Sequence, residues 1–288
     1  MLSSPIDDAN KTLLKDAFKE IEKYSDSDVL VYSGSFTYSI DSKFKELIEN
    51  IQNKKNNLVF ILTTTGGSLI PVIRIVDTLR HFYNSIDFYV PDYAYSAGTI
   101  MCCSGDRIFM DYNSALGPID PQVQTKDGSH FVSALGYLDK LDELLQKAKD
   151  NTITKPEFMI LKDFDLGEWK SYEQARDLAI DLLKKWLPKY KFKNWKTHSS
   201  TNQSVTEEEK QSRAEEIAKN LSDNNKWKSH GRPINRDELS DLKLKIDKME
   251  NNGNLYTTIL KYNAIMDDFM QKYGYKTFIQ TKEDCLYG

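Results

Sequence analysis

Cysteine and histidine are scarce in this 288-residue chain, with three and four copies. Cys102 and Cys103 are adjacent in an apolar run and Cys285 stands far from them, so no spacing supports a disulfide framework or a zinc site. Reduced core thiols in a cytoplasmic protein are the expectation, with no metal and no cofactor. No run of 18 apolar residues occurs, so no membrane span is read. The opening MLSSPIDDANK lacks a basic stretch followed by an apolar one, and no secretory signal is read there. With 13 glycines and 8 prolines the chain is neither collagen-like nor a low-complexity linker. Lysine and arginine total 39 against 43 aspartates and glutamates, a net charge of −4, so a general nucleic-acid binder is not expected.

What is present is an alternation of strand and helix signals. Residues 11–21 carry apolar positions at helical spacing with a charged opposite face. Short β-branched or apolar runs at 29–32, 58–62, 86–90 and 107–110 read as strands. Helical patterns fall between them at 42–50 (with Asp41 as N-cap), 69–83 and 99–104, and residues 112–122 form a Gly/Pro-punctuated loop. This order implies an α/β fold of βαβ units around a mainly parallel sheet. Beyond residue 130 the patterns at 135–149, 157–187 and 205–221 are helical. The expected division is a core over 1–130 and, over 131–288, a helical layer or arm.

Four motifs bear chemistry. In Thr63-Thr64-Thr65-Gly66-Gly67-Ser68, two glycines at a strand-to-helix turn free backbone N–H groups to meet an anion, either a phosphate or a tetrahedral oxyanion. No GxGxxG and no GxxxxGK[ST] accompanies it, which disfavours phosphate; a bare tight turn is the alternative. In Tyr95-Ser96-Ala97-Gly98, a serine among small residues at a helix start is placed as an exposed nucleophile or as a simple cap. The loop Leu116-Gly117-Pro118-Ile119-Asp120-Pro121-Gln122 offers a carboxylate that orients a histidine or caps a turn. His230, in Ser229-His230-Gly231-Arg232-Pro233, sits in a stiffened loop, as a base must. His81 near a helix end and His130 in a polar loop read as surface or packing residues, and His198 lies in KTHSST, which reads as a mobile stretch.

Taken in order, TTTGGS, YSAG, LGPIDPQ and SHGRPI resemble the serine dehydrogenase proteinase family, within the Clp-protease/crotonase-fold superfamily and related to the signal peptide peptidase A enzymes. The likeness covers residues 28–125 and an island at 226–240. It implies a Clp-protease/crotonase-like fold of repeated ββα units, with a helical C-terminal region. It also implies a serine peptidase acting through an acyl-enzyme: Ser96 as nucleophile, His230 as general base, and the Gly67 and Ala97 amides as oxyanion hole. Asp120 would orient His230, with Asp163 and Asp165 of LKDFDLGEW as competitors for that role. An extended peptide would lie near Gly67, with Gly66 and Ser68 binding substrate. Many relatives carry an N-terminal membrane segment, and no such run is seen here.

The same resemblance implies a homo-oligomer working on peptide or protein substrates; a partner unfoldase or adaptor stays unspecified. A crotonase-type acyl-CoA enzyme would use the same amides on an enolate without Ser96, but no basic cluster near residues 63–70 supports CoA binding. An α/β-hydrolase is disfavoured because Ala94 breaks GxSxG. A catalytically silent oligomeric binding module is the remaining alternative. Finally, Lys184–Lys196 (KKWLPKYKFKNWK) interleaves six lysines with four aromatics. It reads as a contact for an acidic partner, nucleic acid or a membrane surface, or, in keeping with the net acidic charge, as a solvated segment whose aromatics pack on the body.

Overall fold

The computed structural model describes residues 5–124, 129, 131–198 and 202–288. The chain runs α1 (Pro5–Ser25), β1 (Asp28–Ser33), α2 (Ile40–Asn50), β2 (Asn57–Thr63), α3 (Leu69–Phe82), β3 (Ser85–Val90), β4 (Tyr93–Ala94), α4 (Ala97–Cys102), β5 (Arg107–Met110) and β6 (Ala115–Leu116). A hairpin, β7 (Gln122–Gln124) and β8 (Phe131–Ser133), leads into helices α5 (Ala134–Lys149), α6 (Lys155–Lys162), α7 (Leu166–Trp186) and α8 (Glu207–Ser222). Short helices α9 (Asn224–Trp227) and α10 (Arg236–Asp241) precede β9 (Asp247–Lys248), α11 (Asn254–Tyr273), β10 (Phe278–Gln280) and β11 (Cys285–Tyr287). The main sheet has the order β11-β10-β1-β2-β3-β5-β9. Its pairs from β1 to β9 are parallel, while β10 is antiparallel to β1 and β11 to β10.

Side-chain alternation along the strands makes two cores. Val29, Val31, Val59, Ile61 and Tyr89 face α1 and α11, where Phe18, Ile21, Ile259, Tyr262 and Met266 complete the packing. Leu30, Tyr32, Phe60, Leu62, Phe88 and Ile108 face the other way, onto α2, α3, α4, α7 and α8. Because both faces are covered, the parallel strands read as unbroken apolar runs.

The fold is the α/β, mostly parallel one that the alternation implied, with differences in detail. Asp41 does not cap α2. Ile40 N–H already closes a turn onto Thr37 O (3.3 Å), so the helix starts earlier, after Ser39 in the left-handed region (φ +73°). Asp41 lies in the first turn and pairs with Arg74 at 2.6 Å. The stretch 157–187 is not one helix: Asp165 accepts from the Gly167 and Glu168 amides (2.7 and 3.0 Å) and starts α7 afresh, while a Thr154/Glu157 capping box opens α6.

The Lys/aromatic stretch follows α7 as a π-helical turn, Leu187–Lys191, and its aromatics pack inward. Trp186 and Phe192 are buried, and the Tyr190 ring lies 3.8 Å from the Arg80 guanidinium. Arg80 itself is buried, paired with Asp106 at 2.9 Å and donating to Ser104 O. An unpartnered guanidinium there would be costly, so this pair fixes α3 against the turn before β5.

On the α11 side, burial and the neighbouring Asp92 and Asp268 carboxylates raise Asp267 to about 6. The folded protein therefore holds a proton that the unfolded chain (3.8) releases, and this residue's contribution to stability falls as pH rises from about 4 to 6. Asp267→Asn removes that penalty. We expect a gain of about 1 kcal/mol at pH 7.5, discounted for partial exposure, and none at pH 4. Urea unfolding of both proteins at the two pH values checks it.

Candidate active site

Two turns are laced together at the carboxyl ends of the parallel strands. Beyond β2, Thr64 N–H donates to Tyr93 O (3.0 Å) and Tyr95 N–H to Thr64 O (2.9 Å), which docks the TTTGGS turn on β4. Gly66 has φ +103° and Gly67 φ +133°, conformations that penalise a side chain. Space forbids one too. A Cβ on Gly66 would lie 2.8 Å from Ser96 Cβ and from Tyr95 O, and one on Gly67 would lie 2.5 Å from Phe36 O.

Phe36 forms the other wall. Its N–H donates to Gly66 O and its carbonyl accepts from Ser68 N–H, both at 2.8 Å. With its flanking groups spent on Phe36, Gly67 points its own N–H and C=O to the opposite edge. Gly66 N–H goes to Thr64 Oγ1 (3.0 Å), and the Ser68 hydroxyl accepts from Ile70 N–H (3.4 Å) as the cap of α3. The polar groups of Gly66 and Ser68 that could meet a ligand are thus largely engaged, whereas Gly67 N–H has no acceptor among the described residues.

Ser96 joins β4 to α4 at φ +53°, ψ −117°, a strained conformation for a residue with a side chain. Its hydroxyl makes no capping bond, so the plain helix-cap role is not the one it plays. It is partly exposed, and the Ala97 N–H after it has no acceptor among the described residues. Small residues pack this turn: a Cβ on Gly98 would lie 2.4 Å from Thr64 Cγ2.

The LGPIDPQ loop is tied to the same turn. Thr99 Oγ1 lies 2.9 Å from Ala94 O, Gly117 O and Gly117 N, and a Cβ on Gly117 would press on Tyr95 at 2.9 Å. Leu116 and Ile234 exchange backbone hydrogen bonds (3.0 and 2.8 Å), and Ile119 N–H donates to Leu221 O (3.0 Å). These bonds bring the loop carrying His230 alongside. His230 Nδ1 lies 2.8 Å from Asp120 Oδ1, and Gln122 Nε2 donates to Asp120 Oδ2 (3.2 Å). Asp120 is 1% exposed and His230 partly buried, and Nε2 has no hydrogen-bond partner among the described residues. The described contacts contain no hydrogen bond between His230 and the Ser96 hydroxyl.

The other carboxylates and histidines lie elsewhere. Asp163 ends α6 and Asp165 caps α7. His81 is exposed and packs on Phe82, and His198 bonds Glu209 at 3.0 Å. His130 lies outside the described residues. Among those described, no cluster of His, Cys, Asp and Glu is arranged to hold a metal. Residues that sequence reasoning passed over are Phe36, Thr64 and Thr99, which position the turns. Thr64 lay inside a quoted motif, but nothing in the sequence marks Phe36 or Thr99.

With the geometry in place, the class can be stated: the fold is ClpP-like. The chain belongs to the ClpP-like SDH-type serine proteinase family, which matches residues 41–279. Two uncharacterized proteins of Methanocaldococcus jannaschii are similar to it. MJ0137 is 30% identical over 134 residues, 44% of this chain and 46% of that protein. MJ1495 is 28% identical over 124 residues, 43% and 37% of the two. The chain thus matches less than half the length of these relatives. Among solved structures, a serine-to-alanine variant of the 1510-N membrane-bound stomatin-specific protease aligns over 76% of each chain at 12% identity and a TM-score of 0.43. A lysine-to-alanine variant of that protease, in complex with a substrate peptide, aligns over 45% of this chain and 67% of that one at 20% identity and a TM-score of 0.31. No helix among the described residues is long and apolar enough to cross a membrane.

The close approach of the turns is testable by a double-mutant cycle. Gly98→Ala drives a methyl into Thr64 Cγ2, and we expect it to destabilise by roughly 1–3 kcal/mol. Thr64→Ser deletes that methyl but keeps the hydroxyl that accepts from Gly66. In the Thr64→Ser background Gly98→Ala should cost at least about 1 kcal/mol less, measured by urea unfolding.

Proposed function

We propose that the chain hydrolyses peptide bonds through an acyl-enzyme on Ser96, with His230 as general base and Asp120 as its orienting partner. The observation that carries this reading is the buried Asp120 carboxylate held 2.8 Å from His230 Nδ1, on a loop bonded to the Ser96 turn. In this reading Nδ1–H donates to Asp120, so Nε2 carries the lone pair. As a bound peptide closes the site, Nε2 removes the Ser96 proton while Oγ attacks the scissile carbonyl. The oxygen that becomes negative is met by Gly67 N–H and Ala97 N–H, which have no acceptor among the described residues. The C–N bond breaks, His230 returns the proton to the leaving amine, and a water deprotonated by the same nitrogen hydrolyses the ester. The substrate lies as an added strand on the free edge of Gly67, beside the backbone of Gly66 and Ser68.

The setting belongs to the same proposal. Free Cys102, Cys103 and Cys285 fit a reducing cytoplasm. The exposed Phe158, Met159 and Ile160 of α6 and Leu166 of α7 fit burial between copies in a homo-oligomer.

A serine-reactive phosphonate should label the protein on Ser96, and Ser96→Ala should abolish both labelling and hydrolysis of an unfolded protein substrate. His230→Ala and Asp120→Asn should each lower kcat/KM by roughly 10²–10⁴-fold with unfolding midpoints near wild type. Absence of labelling in the assembled protein would indicate a silent binding module. Wild-type turnover in His230→Ala would remove the base from the mechanism.

A further inference from the structure

At the opposite end of the parallel strands from Ser96 lies a second cavity, of about 560 Å³, lined by residues before and at the start of β5, the 191–195 segment, α8 and the loop into β9. Its size suits a small organic ligand. Five of its lining residues are cations, Arg107, Lys191, Arg213, Lys243 and Lys245, against Asp106 and Asp247, on a chain whose net charge is −4.

Several of these charges are already matched. Arg107 forks onto Asp87 (Nε 3.1 Å, Nη2 2.5 Å), Arg213 pairs with Glu216 (2.9 Å), and Asp106 is engaged by Arg80 and Lys193. Lys245 is only loosely paired with Asp247, at 3.7 Å. Lys191 and Lys243 have no carboxylate within ion-pair distance among the described residues. Burial lowers the Lys191 ammonium to about 8, against the weaker pull of Asp247, Cys103 and Asp87 and with Lys245 adding to the repulsion. A partly buried ammonium without a counter-ion is destabilising, and an incoming anion would relieve it.

The cavity is built on fixed supports. Lys243 and Lys245 flank Leu244, which is fully buried, and the loop is closed by Lys243 N–H to Ser240 O (2.8 Å) and Leu244 N–H to Leu239 O (3.1 Å). Lys191 precedes buried Phe192, whose N–H donates to Leu187 O (2.8 Å). Trp195 packs edge-on against Phe192, with ring centroids 5.7 Å apart, and forms part of the lining. Clustered ammonium groups suit the point charges of phosphates, and a flat indole suits a planar base.

We propose that this cavity binds a nucleoside polyphosphate, its phosphates held by Lys191, Lys243 and Lys245 and its base set against Trp195. The site shares no residue with the proposed peptidase machinery. Calorimetric titration of the full chain, in wild-type and Ser96→Ala forms, with ATP, pyrophosphate and adenosine tests it. ATP should bind both forms with a sub-millimolar Kd, at least about tenfold tighter than pyrophosphate or adenosine. The exposed double substitution Lys243→Ala/Lys245→Ala should weaken ATP at least about tenfold without moving the unfolding midpoint, and Trp195→Leu should erase the preference for ATP over pyrophosphate. Because the bound anion favours protonated Lys191, wild-type affinity should fall from pH 7 to 9, and Lys191→Arg should flatten that fall. No ATP binding at millimolar concentration, or ATP binding unchanged by the lysine pair, overturns the proposal. Either result leaves phosphonate labelling of Ser96 unaffected.

Discussion

Everything at the site depends on a contact with no room for a side chain. The TTTGGS turn and the Ser96 turn are stitched by Thr64, Tyr93 and Tyr95 at backbone hydrogen-bond distance, so whatever lies between them must be almost nothing. Gly66 and Gly98 fill that requirement from the two sides, one against Ser96 and one against Thr64. The serine is held at a positive φ where the chain must leave β4 and start α4 within two residues, Tyr95 and Ser96. Strain at that point is sustained by neighbours that are themselves bonded in place, Thr99 above all. A hydroxyl pushed out of the backbone's ordinary course is a chemical consequence of packing.

Much of this was legible before any coordinates. The unbroken apolar runs identified the parallel strands because both faces of the sheet are buried, and the Gly66-Gly67 pair and isolated prolines marked turns. Ser96, Asp120 and His230 were all singled out as chemistry-bearing residues, and the fold brings Asp120 and His230 into contact across 110 positions of sequence. That pairing had no local signal. It rests on Leu116 meeting Ile234 and Ile119 meeting Leu221, contacts between apolar residues that could have met other partners equally well.

What escaped the sequence reading had physical reasons. The helix over 157–187 looked continuous because helix-forming residues dominate it, and a single Asp165 side chain turning back on two amides was enough to break it. Strands β9, β10 and β11 are two or three residues long, too short to show an alternation, and they are strands only because β1 and β5 offer open edges. The lysine-rich stretch presented its charges more loudly than its rings, yet Trp186, Phe192 and the Tyr190–Arg80 stack anchor it to the body.

The arrangement of the sheet also decides what a local opening would expose. Strand β1 is flanked on one side by β10, which is remote from it in sequence, and one face of the sheet is covered by α1 and α11 together. Gly288 exchanges backbone hydrogen bonds with Thr277. Peeling β10 and α11 away would bare the β1 edge and the apolar side chains of Val29, Val31, Val59 and Ile61 at once, so segments distant in sequence hold the sheet as one cooperative unit.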